Sequence, residues 1–178
     1  MKTTLRNKID STWNQYWEEA TSEFFKVEAV QDYGAEENVQ SLSFKAWKNG
    51  DKKLSIRMIM ENANLWSKQT SEKHILKRRV HIVKEPYTPY LEWEIMHYKL
   101  VNIPMGKEKV YLIKYGDLGD NLIPGDFMIF DDERVANSHY DKSGKMISMD
   151  FYNRGEDISE FLSLKDLLLT KATELKIS

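Results

Sequence analysis

Apolar residues recur at spacings of three and four over residues 4–25. Leu5, Ile9, Trp13, Tyr16, Trp17, Ala20 and Phe24 mark one strongly aromatic face of an N-terminal helix. FFKVEAVQDYG then reads as a short strand or extended segment closed by Gly34, and AEENVQSLSFKAWKNG as a second helix. Acidic residues in its first turn suit the helix dipole, and Asn49-Gly50 forms its stop. Residues 54–69 carry two patterns. The alternation of Leu54, Ile56, Met58 and Met60 fits a strand, and a third helix fits equally well. Residues 76–84 predict a strand ending at Pro86. Thr88 as N-cap, with Pro89 at the first helical position, then opens a helix carrying Tyr90, Trp93, Glu94, His97, Tyr98 and Val101. KVYLIKYG, GDFMIFDD, RVANSHYD and KMISMDFYN read as strands, the last two joined by an Asp-Lys-Ser-Gly turn. ISEFLSLKDLLLTKATELKI closes the pattern as a long helix with Phe161, Leu164, Leu167, Leu168 and Ala172 on one face and Asp157 or Ser159 as cap.

This order predicts an α+β fold over residues 1–178, a mixed and largely antiparallel sheet packed against helices. Composition agrees with it. A chain of 178 residues with 41% hydrophobic and 12% aromatic residues can bury a core without disulfides. It has no cysteine, which excludes disulfides, thiolate metal sites and a Cys nucleophile. The 26 basic and 28 acidic residues give a net charge of −2, against the basic excess of a dedicated nucleic-acid binder, so no direct nucleic-acid contact is expected. No apolar run approaches the ~20 residues of a membrane span, and the N-terminus lacks the apolar core of a signal peptide, so the expected location is the cytoplasm.

Chemistry is sparse. Asp126, Asp131 and Asp132 bracket an apolar run and read as turn and anchor residues, or as a carboxylate site for a metal-dependent phosphodiesterase or nuclease if they converge. His74, His81, His97 and His139 show no ligand spacing. Glu94 and His97 share a helical face, but the second such pair of a di-iron bundle is missing. No Gly-x-Ser-x-Gly, Walker or Gly-x-Gly-x-x-Gly motif occurs, and no cofactor or metal is implied. Arg79 sits in an otherwise apolar strand and needs a partner. Glu94 or Asp131 is the expected one, either as a structural ion pair or as the floor of a polar pocket binding an anion, with Tyr90 and Asp126 nearby. Trp13, Tyr16 and Trp17 are core rings, or a contact surface for a protein partner.

Several of these segments resemble a bacterial domain-of-unknown-function family, common in actinobacteria and often encoded near helix-turn-helix regulators. FFKVEAVQDYGAEE is similar to its N-terminal pattern through Glu28, Tyr33 and Glu37. RRVHIVKEPYTPYLEWE is similar to its signature through Arg79, Pro86, Tyr90, Trp93 and Glu94, and DFMIFDDERV with Tyr140, Asp141 and Gly144 to its hairpin. The resemblance spans roughly residues 20–172. His81 departs from it where a second arginine is usual, and GKEKVYLI lacks the Gly-Glu-Asp opening. It implies a non-enzymatic protein acting through partners, a helix-turn-helix transcriptional regulator among them. A weaker likeness to phospholipase-D-like domains implies a degenerate sensor of a phosphate or nucleotide ligand, because His139-Tyr140-Asp141-Lys142 has one residue too many for His-x-Lys.

Overall fold

The computed structural model describes residues 1–5, 9–33, 40–71, 73–119, 123 and 125–177. Its elements are β1 (Lys2–Leu5), α1 (Ile9–Glu19), β2 (Glu23–Glu28), α2 (Gln40–Lys48), α3 (Lys52–Ser71), β3 (Leu76–Val83) and α4 (Pro89–His97). A π-helical turn, Tyr98–Asn102, continues α4. Then come β4 (Glu108–Lys114), a 3₁₀ turn (Tyr115–Leu118), β5 (Phe127–Phe130), β6 (Arg134–Tyr140), β7 (Met146–Tyr152), α5 (Ser159–Lys171) and β8 (Thr173–Glu174). Among the described residues one sheet of eight strands runs in the order β1-β7-β6-β5-β2-β3-β4-β8. β2, β3 and β4 are parallel to one another, and every other pairing is antiparallel. The expected α+β fold with a mixed, largely antiparallel sheet is what forms.

Strand alternation sorts the core onto two faces. Phe25, Val27, Val80, Ile82, Phe127 and Ile129 point to one side, where Phe161, Leu164 and Leu168 of α5 cover them. On the other side Tyr16 and Ala20 of α1 cover Phe24, Phe130, Ala136 and Phe151. A third apolar cluster, with Trp47, Ile59, Ala63, Trp93 and Val101, binds α2, α3 and α4 together. The crossovers between the parallel strands bring these helices onto the face that also presents Glu28, Arg79 and His81.

Two helix expectations change, and the open choice over residues 54–69 resolves to a helix. The N-terminal helix of residues 4–25 is only α1, because Leu5 pairs with Ser148 in the sheet and Phe24 lies on β2. Both are apolar at helical spacing, yet the sheet captures them. Residues 54–69 are helical: Asp51 Oδ1 accepts the Leu54 N–H at 3.0 Å, and the buried positions are Ser55, Ile59 and Ala63, four apart. The alternating methionines misled, since Met60 is 43% exposed. The C-terminal helix stops at Lys171, where Ala172 turns extended and Leu175 N–H donates to Val110 O at 2.8 Å, stitching β8 onto β4. Thr88 caps α4 as expected, accepting from Leu91 N–H at 3.1 Å, and Asp157 accepts from Ser159 N–H at 3.0 Å before α5. Gly34 and residues 35–39 of the expected second helix lie outside the described residues.

Asp131 and Asp132 form the β5–β6 turn with φ of 55° and 57°, the left-handed pair of a type I′ turn, which aspartate tolerates. The Asp131 carboxylate accepts the Thr21 and Ser22 N–H groups at 2.8 Å each and that of Glu23 at 2.9 Å, so it steers the chain from α1 into β2. Burial works against its charge, but these donors win and hold the carboxyl well below the usual range. Asp131→Asn, which keeps the turn conformation, is expected to lower stability by about 1 kcal/mol at pH 7 in urea unfolding. A depressed folded-state value makes the contribution fully present above the ordinary value of 3.8 and lost as pH falls below it. The gap between the two proteins therefore narrows below that pH.

Candidate functional site

β3 presents Lys77, Arg79 and His81 on one face, and parallel registry sets His81 opposite Glu28, the last residue of β2. β4 begins with Glu108 beside Lys77, two pairings below Arg79 and on the same face. Over them lie Glu94 and Tyr98, four apart along α4 and its π-helical turn and therefore on one helical face. In that turn Ile103 N–H reaches back five residues to Tyr98 O at 3.0 Å, and the extra residue rotates Asn102 inward as well.

The result is a continuous buried chain of polar contacts. His97 Nδ1 lies 2.9 Å from Asn102 Oδ1, and Asn102 Nδ2 donates to Glu108 Oε2 at 2.7 Å. Glu108 Oε1 accepts from Arg79 Nε at 3.0 Å, and Arg79 Nη1 donates to Glu28 Oε2 at 2.7 Å. The same Glu28 oxygen accepts a short hydrogen bond from the Tyr98 hydroxyl, which stands 2.9 Å from His81 Nδ1. Lys26 contacts the other Glu28 oxygen. Glu28, Arg79, His81, Glu94, Tyr98, Asn102 and Glu108 are all buried, none more than 8% exposed. The chain ends on Glu94 Oε2, 3.5 Å from His81 Nδ1, which accepts no hydrogen bond.

Burial and this pairing divide the charges. Burial pushes the Glu28 carboxyl up, but Arg79, Lys26 and His81 outweigh it and hold Glu28 well below the usual range. Burial also opposes the Arg79 charge, and Glu108 and Glu28 more than restore it. Glu94 goes the other way: burial and then the Glu28 charge push its carboxyl well up. Burial lowers His81 to about 4, against the pull of Glu28, so its ring is neutral at pH 7. A carboxyl held down and a carboxyl pushed up thus face one neutral imidazole, the kind of separation that acid–base centres use. Here the separation is closed off from bulk solvent.

A second node sits at the same end of the parallel strands. Asp126 Oδ1 accepts the Ala29 and Val30 N–H groups at 2.7 and 3.3 Å, and its Oδ2 accepts from the Tyr140 hydroxyl at 2.9 Å and from the Tyr33 hydroxyl. Burial and Glu28 raise the Asp126 carboxyl. Tyr33 packs on Tyr90 and Tyr140, with ring centroids 5.5 and 5.7 Å apart, and Tyr90 packs on Phe44 at 5.2 Å. These rings wall off an open cleft of about 490 Å³ lined by Val30, Asp32, Phe44, Lys48, Tyr140 and Lys142, among others. Gly144, also lining it, has φ of 81°, and a Cβ there would stand 2.6 Å from Asp32 O, so glycine lets the β6–β7 turn close on the segment after β2.

The expected partner of Arg79 is corrected here. Arg79 pairs with neither Glu94 nor Asp131: alternation and parallel registry hand it Glu28 and Glu108, while Asp131 is spent on backbone N–H groups at the far end of β5. Asp126, Asp131 and Asp132 do not converge. The first two flank β5 and lie roughly 16 Å apart at ordinary strand rise. Asp132 meets Lys165 at 2.6 Å on the α5 side. Tyr16 is a core residue, 2% exposed, its hydroxyl donating to Tyr152 O at 3.0 Å, whereas Trp13 and Trp17 stack 5.7 Å apart and stay half-buried. His139 pairs with Asp150 at 2.8 Å.

The meeting of Glu28, His81 and Glu94 carries no signature in sequence spacing. The one signal was an arginine and a histidine two apart in an apolar strand, both in need of buried partners.

A mixed sheet with a charge cluster walled in on one face of its parallel strands defines an α+β domain with a closed polar centre. The chain belongs to the family described as Domain of unknown function (DUF6879), whose model matches residues 11–176. No curated protein matches it. No helix among the described residues is long and apolar enough to cross a membrane.

Arg79→Ala takes away the cation that Glu28 and Glu108 share, leaving buried charge poorly compensated. It is expected to cost about 3 kcal/mol or more in urea unfolding. Arg79→Lys recovers only part of this, because an ammonium cannot span both carboxylates as the planar guanidinium does.

Proposed function

We propose that the chain is a regulatory domain without a catalytic step of its own. It takes up a phosphate-bearing small molecule of the nucleotide class in the cleft beside Tyr140 and passes its occupancy to a protein partner. The observation that carries this is the cleft itself. It lies at the carboxyl edge of the parallel strands, where open sheets of this kind hold ligands. Its volume falls within the range of small-molecule sites. Phe44 and Tyr140 offer ring faces, and Lys48 and Lys142 offer cations. The Asp141 carboxylate is folded into its own turn, accepting from Ser143 N–H at 2.8 Å and Lys145 N–H at 3.1 Å. Arg79, taken up by two carboxylates, is not the anion contact in this reading.

Tyr140 gives the cleft a route inward. Its hydroxyl shares Asp126 with Tyr33 and with the backbone that leaves β2, so a ligand that moves Tyr140 also disturbs the segment leading toward α2. The partner rests on the resemblance, which implies a helix-turn-helix regulator, and the half-buried Trp13–Trp17 stack on α1 is the surface offered for it.

Nucleoside mono-, di- and triphosphates, and inorganic phosphate alone, are screened by thermal shift. A saturable rise of a few degrees with one of them is expected. The double variant Lys48→Ala/Lys142→Ala, both exposed positions, is expected to weaken that ligand at least about tenfold, the worth of one lost charge-assisted contact, with unchanged melting of the free protein. If no compound in the panel shifts the wild type, the ligand half fails. Co-expression with a neighbouring regulator tests the partner half, and neither a complex nor any effect on DNA binding would exclude it.

A further inference from the structure

We propose that Glu28, His81 and Glu94 bind one first-row divalent metal ion, with Zn²⁺ the best match, which ties α4 to β2 and β3. The three side chains each offer one donor atom, and these atoms lie within 4.8 Å of one another. His81 Nδ1 stands 3.5 Å from Glu94 Oε2 and 3.8 Å from Glu28 Oε2. Two ligands on a tetrahedral ion with bonds of about 2.1 Å are themselves roughly 3.4 Å apart, so the two His81 distances need little contraction, while the two carboxylates, within 4.8 Å, draw together on the ion. The Tyr98 hydroxyl, 2.9 Å from Nδ1 and hydrogen-bonded to Glu28 Oε2, supplies the fourth ligand once it swings off that oxygen.

Two further observations point to a cation at this position. Glu94 is 8% exposed, and its Oε2 is buried, accepts no hydrogen bond and faces His81 Nδ1. Among the described residues its ion-pair contact is with His81 alone, whereas Glu28 and Glu108 share Arg79. Arg79 pairs with Glu28 and Glu108 but lies within ion-pair distance of neither Glu94 oxygen. Lys26 touches Glu28 from the more exposed side, at 24% exposure. The donor set of one imidazole nitrogen and two carboxylate oxygens suits a first-row ion rather than Ca²⁺, which takes six to eight oxygens, or Mg²⁺, which keeps its waters. Arg79, bonded to the ligating Glu28 oxygen, and Lys26, on its neighbour, orient that carboxylate as outer-shell partners do. Because the centre is closed, the ion holds structure and is not an open catalytic position.

The test uses the tag-free, chelator-treated full chain. Bound Zn²⁺ is counted after dialysis, melting is followed with and without Zn²⁺, and Co²⁺ is added as a spectroscopic probe. One ion per chain, a melting rise reversed by chelator, and the intense visible bands of four-coordinate Co²⁺ are expected. Glu94→Gln preserves shape and is expected to leave the far-UV spectrum of the chelated protein intact while weakening Zn²⁺ at least about 100-fold, because even outer-shell losses reach that size. Absence of stoichiometric binding, or a folded Glu94→Gln that binds as well as wild type, overturns the proposal. Should that variant not fold, zinc-edge X-ray absorption of the wild type decides. One imidazole with oxygen ligands supports the site, and two or more imidazoles, or none, overturns it.

Discussion

Arg79 lies between Glu28 at the end of β2 and Glu108 at the start of β4, so one guanidinium spans the three parallel strands at the middle of the sheet. A buried cation of this kind is tolerated only when its forked donors meet matched acceptors, and both carboxylates here are as buried as the arginine. The arrangement also locks registry. A slip of β3 by one residue would turn Arg79 and His81 into the apolar layer under α5 and bring Val80 and Ile82 up against the carboxylates. The charge cluster makes that alternative far costlier than any single apolar contact would.

The helical layer follows from this lock. α4 lays Glu94 and Tyr98 over the arginine, and the π-helical turn adds Asn102, which bridges His97 to Glu108. Apolar packing of Trp93 and Val101 against α2 and α3 fixes the height of that layer, so the polar groups meet at hydrogen-bonding distance. The carboxylates of β5 divide by position. Asp131 organises the end where the parallel strands begin, and Asp126 gathers Tyr33, Tyr140 and the β2 exit at the end where they finish. The open cleft therefore lies at one end, and the contacts that steer α1 into β2 lie at the other.

Periodicity settled much of the fold in advance, because strands and helices announce themselves wherever one face is apolar and the other polar. The helix from Thr88, the β3 strand and the three-strand meander ending at Tyr152 all carried local signals of cap, alternation and turn, and all formed. Residues 54–69 were ambiguous because apolar residues off the buried face alternated while the buried positions included a serine, which hydrophobic pattern does not count. Leu5, Phe24 and the tail after Lys171 were assigned to helices because apolar spacing alone cannot reveal that a sheet edge or a neighbouring strand competes for the backbone.

The sequence by itself determined most of the elements, the α+β class, the absence of thiol chemistry and the need of Arg79 for a buried partner. Only the tertiary structure decided who that partner is. Glu28, Arg79, Glu94 and Glu108 are far apart along the chain, and their meeting depends on which strands pair, in which direction and at which register. Those choices are made by packing over the whole sheet, because a single pair of charges cannot repay the cost of leaving water until the surrounding core has closed around it.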